Sequence, residues 1–122
     1  MKTRKPIKVG VVGCGYWGPN LVRNLRQSSD CQLKVICDAN EQRLSHMHRL
    51  HPDVATSLQF DDLLNDSDIE AVVIATPVQY HFEMAQAAFN RGKHVFIEKP
   101  MTRTQAEAEE LVALAERQGL VL

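Results

Sequence analysis

The sequence predicts an α/β domain of the Rossmann type, a doubly wound, mostly parallel sheet with helices on both faces. Three observations predict it. Short Val- and Ile-rich runs alternate with stretches of helical period. The central runs are apolar throughout, as strands covered on both faces must be. A glycine-rich turn leads out of the first run, and an aspartate closes the second.

The elements follow in order. Ile7 to Val12 is a buried strand ending at glycines. Pro19 to Ser28 carries Leu21, Val22 and Leu25 on one helical face, with Pro19 in the first turn, where its missing N–H costs nothing. Gln32 to Cys37 is a second strand, closing on Asp38. Asn40 caps a helix that runs through His51, with Leu44, Met47 and Leu50 on one face and Pro52 stopping it. Asp53 to Thr56 reads as a short third strand and Asp61 to Leu64 as one helical turn. Ala71 to Ala75 is the strongest strand, bounded by Thr76-Pro77. Tyr80 to Asn90 is a helix with Gly92 at its end, and His94 to Glu98 a strand. Thr104 to Gln118 is a long helix ended by Gly119, and Leu120-Val121-Leu122 begins another strand.

Composition narrows the function. At 122 residues the chain makes one domain, 1–122, with room for its own core. Fourteen Lys and Arg against fifteen Asp and Glu leave no basic footprint for nucleic acid or an acidic membrane. No apolar run approaches a membrane span, and the basic start, Met1 to Pro6, meets too short an apolar run for a signal peptide. Cys14, Cys31 and Cys37 lack ligand-like spacing and read as reduced thiols of a cytoplasmic protein, Cys14 as a small space-filler. His48 and His51 are spaced i, i+3 on the second helix, near His46, and His94 lies in a strand. No third ligand accompanies them, so no metal site is expected.

Gly13-Cys14-Gly15-Tyr16-Trp17-Gly18 is a G-x-G-x-x-G between strand and helix, with Asp38 at the tip of the next strand. Gly13 permits the tight turn, Gly15 the close approach of a pyrophosphate, and Gly18 close helix packing. The helix start offers unpaired N–H groups to phosphate. Asp38 can accept from both hydroxyls of an adenosine ribose and would repel a 2′-phosphate, which favours NAD over NADP. Tyr16 and Trp17 flank the phosphate site, either as backbone donors and a wall beside the cofactor or as packing for the helix. Arg43 lies either near the adenine or over its own helix surface.

Two further segments fall at the C-terminal ends of strands, where open parallel sheets bind ligands. They are Ala75-Thr76-Pro77-Val78-Gln79-Tyr80-His81 and Gly92-Lys93-His94-Val95-Phe96-Ile97-Glu98-Lys99-Pro100. With the glycine turn they resemble the Gfo/Idh/MocA oxidoreductases over essentially the whole chain, most specifically in Glu98-Lys99-Pro100. The resemblance implies that Gly13, Gly15 and Gly18 hold a pyrophosphate and Asp38 a ribose. It further implies that Thr76, Pro77 and His81 line the middle of the cofactor site, and that Glu98 sits near the nicotinamide ribose. Lys99 would reach the nicotinamide and the substrate hydroxyl as the catalytic group, since an ammonium stabilises a developing oxyanion and can join a proton relay. Pro100, counted with the cofactor site, makes Lys99-Pro100 a candidate cis peptide. Many relatives carry a polar residue at the position of Val78, so no side-chain bond to the cofactor is expected there.

The resemblance therefore implies hydride transfer between NAD and an alcohol or ketone of a sugar, cyclitol or nucleotide sugar. Two other readings stand beside it: a domain that binds S-adenosylmethionine, like a methyltransferase, and a non-catalytic dinucleotide-binding or sensor module. The family's substrate domain is absent from these residues, so the chain is expected to be a fragment without turnover. A truncated sheet edge is expected to favour self-association into a homo-oligomer.

Overall fold

The computed structural model describes residues 4–122, so Met1 to Thr3 of the basic start lie outside the described residues. The apolar runs form five strands: β1 (Ile7–Val12), β2 (Cys31–Cys37), β3 (Ala55–Ser57), β4 (Ala71–Ile74) and β5 (His94–Ile97). Five helices connect or follow them: α1 (Gly18–Gln27), α2 (Glu41–Leu50), α3 (Phe60–Asn65), α4 (His81–Asn90) and α5 (Gln105–Gln118). Local chemistry sets several ends. The Asn40 side chain accepts from the Arg43 N–H at 3.0 Å and caps α2, and Thr104 Oγ1 accepts from the Glu107 N–H at 3.1 Å and caps α5. Gly119, at φ 68°, ends α5 in the left-handed conformation.

The strands pair in the order β3-β2-β1-β4-β5, every pair parallel. Alternation along each strand divides the core between two faces. Val12, Cys37, Val72, Ile74 and Val95 meet Leu63, Phe89 and Leu111 of α3, α4 and α5 on one face. Val9, Val11, Ile36 and Val73 meet Val22, Leu44 and Met47 of α1 and α2 on the other. The connections leave β1 toward one edge and resume at β4 toward the other. The chain thus reverses direction between β1 and β4 and opens a crevice at their C-terminal ends. Among the described residues no helix is long and apolar enough to cross a membrane.

The structure departs from the sequence reading most clearly in three places. The helix expected from Tyr80 begins at His81, because Val78–Tyr80 form a 3₁₀ turn as the chain leaves the extended Pro77. β3 starts at Ala55 rather than Asp53, since the Val54 N–H donates to the His51 carbonyl in a turn; the Asp53 carboxylate accepts from Arg26 with two bonds of 2.7 Å. Leu120 to Leu122 form no regular strand. The Val95 N–H donates to Val121 O at 3.0 Å, but the Val121 N–H donates to the His94 ring at 3.0 Å instead of to a backbone carbonyl.

Two predictions follow from this core. Phe89 is fully buried, so Phe89→Ala should cost about 3–5 kcal/mol in urea unfolding. Burial, reinforced by the Asp38 charge, pushes both the Cys14 and Cys37 thiols up to about 12 from 9.0. The unfolded chain therefore releases these protons first. The stability they contribute is full below about pH 9 and falls as pH rises toward 12, by up to about 1.4 kcal/mol per unit for each thiol. Unfolding midpoints measured from pH 8 to 10.5 should fall less steeply in Cys37→Ala than in the parent.

Candidate functional site

A cleft of about 850 Å³ opens at the switch between β1 and β4. Each strand end contributes to it. Val12, Gly13, Gly15, Tyr16 and Trp17 follow β1, while Cys37, Asp38, Ala39, Asn40 and Arg43 follow β2. Leu58 and Phe60 follow β3, Ala75, Thr76, Pro77, Tyr80 and Met84 follow β4, and Glu98 follows β5.

The glycine turn is built by exclusion. Gly13 has φ +103°, and a Cβ there would stand 2.6 Å from the Ala75 carbonyl carbon. A Cβ on Gly18 would overlap the Gly13 carbonyl oxygen, so α1 can begin where it does only without that carbon. Gly15 differs. A Cβ there meets only the end of the Arg43 side chain, at 3.4 Å, so the bare backbone faces the cleft rather than the protein.

Hydrogen bonds then orient the turn. The Gly13 N–H donates to Cys37 O at 2.9 Å and the Cys14 N–H to Asp38 Oδ2 at 2.7 Å. Among the described residues, the N–H groups of Gly15, Tyr16 and Trp17 have no partner in the chain. Helix α1 starts just beyond them, without a side-chain cap and without an acidic residue in its first turn. This unneutralised positive end is suited to an anion. The Tyr16 and Trp17 rings stack at 6.1 Å and stand at the mouth of the cleft, 94% and 46% exposed, instead of packing into the core.

Asp38 is 7% exposed and held on three sides. Its Oδ2 accepts from Cys14 N–H, its Oδ1 accepts from Asn40 N–H at 2.8 Å, and its own N–H donates to Ser57 O at 3.1 Å. Each carboxylate oxygen retains acceptor capacity toward the cleft. One side chain thus ties the glycine turn to the start of α2 and presents a fixed negative charge. Arg43 lines the same cleft, its guanidinium over Gly15.

On the other side Thr76, Pro77 and Glu98 form a wall. Lys99 and Pro100 are exposed and follow Glu98 just outside that lining, with the Lys99 N–H donating to Glu98 Oε1 at 3.1 Å. The Lys99–Pro100 peptide is cis. His81 lies behind the wall, 2% exposed, its ring nitrogens against backbone carbonyls. Gly18 is buried beneath the turn. Of the residues singled out from sequence, the cleft therefore gathers Gly13, Gly15, Tyr16, Trp17, Asp38, Thr76, Pro77 and Glu98.

Leu58 and Phe60 went unread in the sequence, although they follow a strand end just as Thr76 and Glu98 do. Arg43 was left between two placements and proves to line the cleft. Its position three residues after the Asn40 cap, in the first turn of the helix that follows Asp38, was the available signal. Lys93 also escaped notice: it is buried, and its ammonium donates to the carbonyls of Asp66 and Ile69, each at 2.8 Å.

The two glycines should separate in experiment. Gly18→Ala should lose about 1–3 kcal/mol or more of stability, because the added carbon meets backbone that cannot give way. Gly15→Ala should unfold within about 0.5 kcal/mol of the parent, because only a flexible arginine tip must move. Urea titration of both variants checks this.

Comparison with known proteins places this geometry among relatives. The family described as "Oxidoreductase family, NAD-binding Rossmann fold" matches residues 7–122. A protein named glycosyl hydrolase family 109 protein 1, from Shewanella sp. strain MR-4, is 34% identical over 120 residues, covering 91% of this chain and 26% of its own length. GenD2 of gentamicin A biosynthesis, solved in complex with NAD, superposes with a TM-score of 0.92 at 26% identity, over 100% of this chain and 35% of GenD2. KijD10, a 3-ketoreductase from Actinomadura kijaniata solved with NADP and TDP-benzene, gives a TM-score of 0.88 at 30% identity, over 96% of this chain and 36% of KijD10. The chain thus spans about a third or less of the length of these relatives. On the family match over nearly its whole length, the chain belongs to the Gfo/Idh/MocA oxidoreductases, as their NAD(P)-binding Rossmann domain.

Proposed function

We propose that this chain is the NAD-binding portion of an oxidoreductase that moves a hydride between the nicotinamide and a carbinol or ketone of a sugar, cyclitol or nucleotide sugar. The observation that carries the proposal is the pairing of three unpartnered N–H groups at the start of α1 with a fixed carboxylate at the end of β2. The first suits a pyrophosphate and the second suits two ribose hydroxyls. The distance between them is set by the turn itself. The adenosine half then lies toward Asp38 and Arg43. The nicotinamide half lies toward Thr76, Pro77 and Glu98.

The dinucleotide supplies the hydride chemistry when bound, and the chain binds and orients it. Lys99, next to the Glu98 wall, is the group that would steady charge developing on the substrate oxygen and pass on its proton. A carbohydrate-type substrate is supported by relatives whose names refer to glycosyl hydrolysis and ketoreduction. The choice of NAD over NADP rests on the Asp38 charge, which opposes a 2′-phosphate. Arg43, which lines the same cleft, works in the other direction, so the two together make the preference finite.

Calorimetric titration of this chain with NAD, NADP and S-adenosylmethionine tests the reading. NAD should bind most tightly and the methyl donor not at all. Asp38→Asn should weaken NAD by about 10- to 100-fold, the worth of one to two hydrogen bonds to a charged acceptor, and narrow the gap to NADP. Tighter binding of NADP by the parent would remove the NAD preference, and binding of the methyl donor alone would remove the oxidoreductase reading.

A further inference from the structure

His81 joins two segments that reach the cleft from different strands. The ring is buried at the first residue of α4. Nε2 lies 2.7 Å from the Thr76 carbonyl oxygen. Nδ1 lies 2.9 Å from the Pro100 carbonyl oxygen and 3.2 Å from that of Met101. A buried ring at bonding distance from backbone on both of its edges ties the two backbones together.

We propose that His81 is a positioning residue that pins the segment after Lys99 to the end of β4. One edge of the ring meets Thr76 and the other meets Pro100 and Met101, so neither segment can shift without breaking a contact to the buried ring.

The consequence falls on one half of the cleft. Thr76 and Glu98 belong to its lining, while Pro100 and Met101 follow Glu98-Lys99 directly. By joining Thr76 to Pro100 and Met101, the ring holds the wall after β4 and the wall after β5 in fixed relation. Asp38, Arg43 and the glycine turn are not among its partners. Under the proposed placement of the dinucleotide, on which this consequence rests, His81 sets the nicotinamide side and leaves the adenosine side alone.

Two measurements on the 122-residue chain test the proposal. The first compares amide hydrogen exchange in the free parent and in His81→Gln, which involves no ligand. Exchange should speed at Lys99 and Met101 and stay unchanged at Cys14, and unchanged exchange at Lys99 and Met101 would overturn the pinning. The second compares His81→Gln with the parent for NAD and for AMP, a probe of the adenosine side only. NAD should weaken about fivefold or more, the worth of one hydrogen bond, while AMP changes less than about twofold. An equal loss for both probes would reduce His81 to a general structural part and overturn the positioning role. If neither probe binds the parent, the dinucleotide reading fails, yet the exchange rates still decide whether the ring pins the segment.

Discussion

Two backbones meet at the end of β1 with no room for a side chain between them. Gly13 abuts the carbonyl of Ala75, and Gly18 abuts the carbonyl of Gly13. The start of α1 can come this close to the ends of β1 and β4 only because both positions lack a Cβ. The location of the helix start, the free N–H groups of Gly15, Tyr16 and Trp17, and the floor of the cleft all follow from this contact. A side chain at either position would push α1 outward and move its positive end away from the sheet.

Asp38 extends the same constraint across the sheet. Its carboxylate accepts from the glycine turn on one side and from the start of α2 on the other. The group proposed to read a ribose is thus also a brace for the loop proposed to hold a phosphate. Under that reading, replacing the residue acts on binding and on folding together. The side toward β4 and β5 is braced differently, by a histidine ring bridging backbone carbonyls. One cleft is therefore assembled from two separately fastened halves, with the reversal between β1 and β4 at their join.

The strands were legible because their hydrophobic patterns are strong. Val72 and Ile74 face one core and Val73 the other, which an unbroken apolar run requires. Ends were less legible where a side chain intervenes. The Asp53 carboxylate is taken by Arg26, which sits 27 positions earlier in the chain. His94 takes the N–H of Val121 that a regular ladder would give to a carbonyl. Such bonds join residues far apart in sequence, and no local pattern announces them. Lys93 is the sharpest case: no local pattern marks it, but the fold buries it against two carbonyls, and burial lowers its pKa from the usual 10.5.

By itself the sequence determined the α/β alternation, the glycine turn and the acidic tip of β2, because these rest on local spacing, backbone conformation and the absence of side chains. It also singled out Glu98, Lys99 and Pro100, through a motif whose residues are contiguous. The tertiary structure decided which of those residues share a surface. It placed Arg43, Leu58 and Phe60 on the cleft, left Lys99 exposed beside the wall, and set His81 behind it. Those placements depend on strand order and on how closely α1 and α4 pack against the sheet, and both are set by contacts between segments that the chain brings together only when it folds.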